Sequence, residues 1–374
     1  MIFYWPTKPI LSQQSPLTIK GNLRILVLEG TPYERGHQHG SSLKKEIHEL
    51  IQIWKDDIEK TYKIEADVFV EEFLGTTNFE KAIKEWTPEL WEELRGIADG
   101  SGLDFETVFA FQLVDEMWVL GREIRTEKCT TIGLEKTENH PAMVAQNLDI
   151  PPFYHGFQTL LHIKDPDLGL ETYLFTFPGF IAANGINSDS VAVVVNAVQQ
   201  LEHSRDGLPV AFVIRGILQR KNYAEALRFL KAIKHGAPQN YMIGDANAIG
   251  SFECSTTHVS EFVPFEGASF TYHTNHPLKN LNYTDRFEQY LKSKDISPKD
   301  YKHPCPRFQA LQNIFKNNSV HVDVAALKDI FSNRDIIINN RRTFGCTIMK
   351  LGQNPELHIS PGRPDEEPFQ LFHF

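Results

Sequence analysis

The sequence predicts an α+β fold in which a helical N-terminal segment precedes a body of two stacked sheets with helices outside them. Three observations predict it. Apolar residues recur at helical spacing before residue 125, strand-like patterning sets in at Cys129, and beyond that point the order runs sheet, helix pair, sheet. A parallel sheet would instead alternate single strands with single helices.

Each element follows from local signals. From Tyr33 to Tyr62, Leu43, Ile47, Leu50, Ile51, Trp54 and Ile58 recur at helix intervals among charged residues. Further helices are expected over Val68 to Leu74, Pro88 to Ala98 and Phe105 to Leu120. Thr87 ahead of Pro88 and Asp104 ahead of Phe105 are start signals, and Gly100 and Gly102 separate the last two helices. The charged stretch Arg122 to Lys128 lacks a pattern and reads as an exposed linker, where a backbone bond can be cut without losing the fold. Strands are expected at TTIGLE, MVAQNLDI, QTLLHIK, ETYLFTF and VAVVVNAV, with Asn139-His140-Pro141 and Asp165-Pro166-Asp167 as turns. Helices follow at Pro209 to Arg220 and Tyr223 to Ala232, then strands at YMIGD, GSFECS, EFVPF and SFTYHTN. The last helices are placed at Asp285 to Lys292, Arg307 to Lys316 and Val324 to Ser332, before strands at GCTIMKL and ELHIS.

Composition narrows the function classes. A chain of 374 residues with 41% hydrophobic and 23% charged residues is globular, and no stretch approaches the roughly 20 apolar residues of a membrane helix. The opening MIFYWPTKPIL has no basic region followed by an apolar run, which points to a cytoplasmic protein. Cys129, Cys254, Cys305 and Cys346 lie far apart without CxxC spacing, so free thiols are expected rather than a zinc knuckle or a disulfide framework. A net charge of −10 opposes binding to nucleic acid and favours small-molecule chemistry. His37 and His39 stand two apart on a helix, which turns their rings away from each other; no metal and no cofactor is expected.

Cys129 opens a strand directly after the linker. A thiol with a pKa of about 8.5 needs a base, and a free α-amine of pKa about 7.7 to 8.0 on the same residue supplies one. That amine exists only if the bond between Lys128 and Cys129 is cut, by attack of the thiol on the preceding carbonyl and hydrolysis of the thioester.

The segments GTPYERGHQHG, GIADGSGLD, CTT, AQNLDI, NGINSDSVAVVVNAV, YHTNHP, TFGCTIMKL and PGRP, in that order, resemble the penicillin acyltransferase family of Ntn hydrolases. More distantly the chain is similar to the choloylglycine hydrolase and acid ceramidase group. The resemblance implies a four-layer αββα sandwich of two antiparallel sheets, with residues 1–128 as a mainly helical pro-segment and 129–374 as the catalytic body. It also implies that the two pieces stay associated after self-cleavage.

By resemblance Cys129 is the nucleophile, Asp149 the carboxylate on its amine, and Asn196 and Asn275 donors to the oxyanion. An arginine is implied at Arg342, with its neighbour Arg341 as the alternative; on a strand the two face opposite ways. A core amide for Asn196 and a turn residue for Asn275 are the plainer readings. Phe153 and Tyr154, in PPFYHGF, and Phe177, in FTFPGF, are candidates for an acyl pocket, the alternative being core packing. The chain departs from the choloylglycine hydrolases at Gln146, where they have Arg, and Lys128 replaces the small residue common before the nucleophile. The expected reaction is hydrolysis or transfer at an N-acyl amide through an acyl-enzyme, the alternatives being an inactive binding protein for acyl ligands and a cysteine protease pairing Cys129 or Cys346 with His276.

Overall fold

The computed structural model describes residues 16–120, 129–298, 300–301, 305–316, 322–334 and 343–374. Strands β1 (Leu17–Lys20) and β2 (Leu23–Glu29) open the described chain, followed by helices α1 (Pro32–Ser42), α2 (Lys44–Tyr62), α3 (Ala66–Gly75), α4 (Phe79–Trp86), α5 (Pro88–Ser101), α6 (Phe105–Phe111) and α7 (Val114–Leu120). The body continues with β3 (Thr130–Leu134), β4 (Met143–Asp149), β5 (Thr159–Asp165), β6 (Leu170–Thr176), β7 (Asn184–Asn187) and β8 (Ala192–Ala197). After α8 (Val210–Leu218) and α9 (Tyr223–Ala232) come β9 (Gln239–Gly244), β10 (Ile249–Cys254), β11 (Val259–Glu261) and β12 (Phe270–His273). Helices α10 (Asp285–Ser293), α11 (Pro306–Ile314) and α12 (Val324–Phe331) precede β13 (Thr343–Lys350), β14 (Glu356–Ser360) and β15 (Gln370–His373).

The strands form two sheets, ordered β1-β2-β5-β6-β7-β8-β9-β10-β11 and β12-β3-β4-β13-β14-β15. They face each other where β3 and β4 lie over β8 and β9. Helices α8 and α9 rest on the larger sheet and α12 on the smaller. Both faces of the central strands are therefore covered, which explains the apolar run Ala192 to Val195 of β8 and the complete burial of β4. Alternation assigns neighbours on β4 to opposite faces: Gln146 bonds Val195 of the larger sheet, whereas Asn147 bonds the Phe331 carbonyl of α12.

Two expectations are corrected. The sheets are not wholly antiparallel: β2 pairs parallel with β5, in the register Leu26↔Leu161. The segment before residue 125 is also not helical throughout, since β1 and β2 extend the larger sheet. The pairing that turns LRILVLE into a strand lies more than a hundred residues downstream, beyond the reach of any local pattern.

The helices differ in detail. The expected helix from Tyr33 to Tyr62 is broken at Leu43, and the one from Phe105 to Leu120 at Gln112, whose side chain bonds the Gly179 carbonyl and the Ile181 amide. Gly100 does not end α5. It packs with Gly96 against Gly36 and Gly40 of α1, so closely that a Cβ on Gly36 would fall 1.9 Å from the Glu93 carbonyl oxygen. The pairs Gly36/Gly40 and Gly96/Gly100, each four apart on one helix face, let the two backbones touch. Gly102, at φ 73°, is the left-handed cap that stops α5.

Candidate active site

Cys129 sits just ahead of β3, buried where β3 runs beside the end of β4. Its thiol lies 3.8 Å from the main-chain carbonyl oxygen of Asp149. Asp149 ends β4, opposite Thr343 of β13, with its carboxylate fully buried. The smaller sheet thus sets thiol and carboxylate on neighbouring strands.

Arg307, in the first turn of α11, reaches the same point. One guanidinium nitrogen donates to the Cys129 carbonyl oxygen at 2.6 Å and to Thr130 Oγ1 at 2.7 Å, and the other donates to Asn275 Oδ1 at 3.3 Å. Asn275 Nδ2 in turn donates to the Ala197 carbonyl oxygen at the end of β8 at 3.2 Å. The loop that carries Asn275 is pinned by the buried carboxylate of Glu253, which accepts from the backbone amides of Leu278, Lys279 and Asn280 and lies 2.9 Å from His273 Nε2. A carboxylate accepting several backbone N–H bonds is a rigid anchor.

Asn196 lies deeper. Its Oδ1 accepts from Thr131 Oγ1 at 2.8 Å and from Asn240 Nδ2 at 3.2 Å, while Ser251 Oγ donates to Asn240 Oδ1. This directed chain turns Asn196 Nδ2 away as a buried donor without a partner among the described residues. The amide is thus held in the layer between the sheets, bonded to Thr131, which stands two residues along β3 from Cys129.

A cavity of about 50 Å³ adjoins the thiol, bordered by Cys129, Asp149 and Phe177 of the body and by Val114, Asp115 and Trp118 of α7. Phe177 borders this cavity. Tyr154 instead stacks behind Phe177, with ring centroids 4.4 Å apart, and Phe153 packs on Tyr154, so these two support the wall and do not border the cavity. Asp115 Oδ1 accepts from Gln239 Nε2 at 3.1 Å. Burial pushes its pKa up to about 7, and burial with the neighbouring Asp115 pushes that of Glu116 up to about 8.

The described residues bring together Cys129, Asp149 and Asn275 of the expected set, and add Arg307. Lys128, Arg341 and Arg342 lie outside the described residues. His276 contacts the Thr274 hydroxyl at 3.0 Å, and Cys346 is a deeply buried thiol whose pKa burial and then the Asp149 charge raise far above the ordinary value, which leaves it unreactive. On α1, His37 is exposed whereas His39 is buried and accepts from the Gly179 amide at 3.0 Å.

Comparison with known proteins gives the family of the chain. Residues 135–335 match the family model described as acyl-coenzyme A:6-aminopenicillanic acid acyl-transferase, a span that holds Asp149, Asn196, Asn275 and Arg307 and begins just after Cys129. The acyl-coenzyme A:6-aminopenicillanic-acid-acyltransferase 40 kDa form of Emericella nidulans is 31% identical over 265 residues, covering 67% of this chain and 69% of that protein. Protein dcd1A of Dictyostelium discoideum is 24% identical over 308 residues, covering 71% of this chain and 67% of its own. Among solved structures, the Caenorhabditis elegans ortholog of N-acylethanolamine-hydrolyzing acid amidase superposes with a TM-score of 0.42 at 16% identity, over 66% of this chain and 100% of that one. With its family model matched over more than half its length, the chain belongs to the acyl-coenzyme A:6-aminopenicillanic acid acyl-transferase family.

Proposed function

We propose that the chain is a self-processing cysteine amidohydrolase or acyltransferase of the Ntn type, with the four-layer αββα organisation, acting on non-peptide N-acyl amides. One observation carries the reading: the Cys129 thiol stands at the head of β3 beside the buried Asp149, with its own carbonyl held by Arg307. A residue about to become a chain terminus needs that fixation, because its main-chain carbonyl must stay in place when the bond on its other side is broken.

In processing, Cys129 Sγ attacks the Lys128 carbonyl carbon, the C–N bond breaks, and the thiol proton passes to the new amine. Water then cleaves the thioester, restoring the thiol and leaving a carboxylate on Lys128. Asp149 accepts a hydrogen bond from the new amine and stabilises its cation once it has taken the thiol proton. In turnover, the thiol attacks the substrate carbonyl as the amine takes its proton, and the proton goes on to the departing amine. The acyl group leaves the sulfur for water or for an acceptor amine. Asn275 and the unpartnered Asn196 Nδ2 are the donors for the oxyanion, since an unpaired buried amide costs roughly 1–3 kcal/mol that a developing negative charge would relieve.

The narrowness of the cavity favours a second reading, an uncut chain that binds without turnover. Mass spectrometry separates the two. The proposal expects pieces of 128 and 246 residues from the 374-residue chain, with Cys129→Ala left whole. A protein that turns over N-acyl amides yet yields no polypeptide beginning at Cys129 sinks the proposed mechanism.

A further inference from the structure

We infer that Asp115 is a specificity-determining residue: the substrate group that enters the cavity beside Cys129 carries a hydrogen-bond donor, preferably an ammonium, rather than ending in hydrocarbon. The inference rests on the reaction proposed above and extends it to substrate class.

Apart from Cys129, Asp149, Asp115 and Gln239 the lining is apolar, with Phe177, Phe180, Val195, Val210 and Ile214 facing the cavity. Its volume of about 50 Å³ holds only a few water-sized groups, so any occupant end must pass close to Asp115. The carboxylate is placed, not adventitious. Gln239 fixes Oδ1, and the adjoining Glu116 locks α7 to the body by accepting from the Val210 amide at 3.0 Å and the Ala237 amide at 3.3 Å. Among the described residues the half-buried Asp115 side chain takes one hydrogen bond, from Gln239 to Oδ1, and pairs with no cation. A carboxylate in such surroundings resists ionisation, as its raised pKa shows, and a donor brought by the substrate restores what burial removes.

The consequence for selection is asymmetric. A hydrocarbon end strips water from the oxygens and gives nothing back, whereas an ammonium completes the bond set; sites built this way reject the analogue lacking the donor far more strongly than apolar pockets reject an extra methylene. Because α7 precedes Lys128 and the thiol follows it, the selecting group and the reacting group would reside on different pieces of the cut protein.

The test uses the whole protein and matched amides. Phenylacetyl is compared with 2-amino-2-phenylacetyl, and hexanoyl with 6-aminohexanoyl, on one chromogenic leaving amine; a reciprocal series places the ammonium on the leaving amine. Binding is measured by calorimetry beside turnover. In one series the amino member should lead by about tenfold or more in kcat/KM or affinity. Asp115→Asn, isosteric and still able to bond Gln239, should cut that preference about fivefold, and Asp115→Leu should reverse it. Intact mass and Tm confirm that both variants process and fold. Equal or better use of the hydrocarbon members in both series, or an unchanged preference in Asp115→Asn, overturns the inference while leaving the reaction standing. Preferential binding without turnover sinks the reaction and keeps Asp115, and a protein that neither binds nor cleaves any member sinks both.

Discussion

At the scale of single residues, Arg307 holds the main chain of Cys129, whereas the expected Arg342 lies outside the described residues. The Arg307 guanidinium is nearly buried and spends three hydrogen bonds on the Cys129 carbonyl, Thr130 and Asn275. Arg307→Leu should lower kcat/KM by roughly 10²-fold and slow the appearance of the two pieces, and Arg307→Lys should not restore the rate, since an ammonium cannot make the same planar fork. Single-turnover assays with matched Arg342→Ala controls check this; a larger loss at Arg342 would return the role to it. Cys129 and Asp149, the proposed nucleophile and carboxylate, were singled out from the short motifs CTT and AQNLDI, and the fold sets them on neighbouring strands. Arg307 was not, although one signal was present. A cation in the first turn of α11, just after Pro306, opposes the helix dipole, so its charge must be used by something outside the helix. Asn196 was legible as an interruption of an apolar strand, but which way its amide turned depended on Thr131, Asn240 and Ser251, on three other strands.

At the scale of elements, α1 joins the N-terminal segment to the cavity wall. Its His39 accepts from the Gly179 amide, in the loop between Phe177 and Phe180, and burial above all depresses the His39 pKa to about 4, with Glu93 partly offsetting and Arg215 adding to the effect. The unfolded chain binds a proton there near pH 6.5, whereas the folded one refuses it until about pH 4. The neutral histidine therefore adds stability that is fully present above about pH 6.5 and is lost on acidification from there toward pH 4, on the order of 3 kcal/mol in all. His39→Gln keeps an acceptor for Gly179 without a titrating group, so urea midpoints from pH 7 to 4.5 should fall less steeply in the variant than in the parent. Helix positions were largely readable from periodicity, and α9 falls where expected from Tyr223 to Ala232. Their breaks were not, because Gln112 interrupts a helix for the sake of a loop it meets only in the fold, and Gly100 reads locally as a stop when it is a contact surface for α1.

At the scale of the whole molecule, the segment before Cys129 and the body after it are fastened at several unrelated points. Glu93 of α5 grips Arg215 of α8 through two bonds at 2.6 and 2.8 Å, Arg35 of α1 meets Asp165 at 3.1 Å, and β2 lies hydrogen-bonded along β5. Breaking one partner of such a buried pair leaves an uncompensated charge, worth roughly 3–5 kcal/mol. After cleavage the pieces should therefore co-elute in gel filtration and separate only in denaturant; elution of a lone 246-residue piece from native buffer would contradict this. The other end of the molecule carries a further consequence. Gln370 donates to the Lys20 carbonyl oxygen at 3.0 Å and Asn22 to Glu367 at 2.6 Å, so the strand that ends the chain lies against the one that begins the described fold. A gene rewired to start at codon 129, with the former front third tethered behind Phe374, would be born with its cysteine at the tip once the initiator methionine is trimmed. Such a permuted protein should work at once, with no maturation lag and no scission.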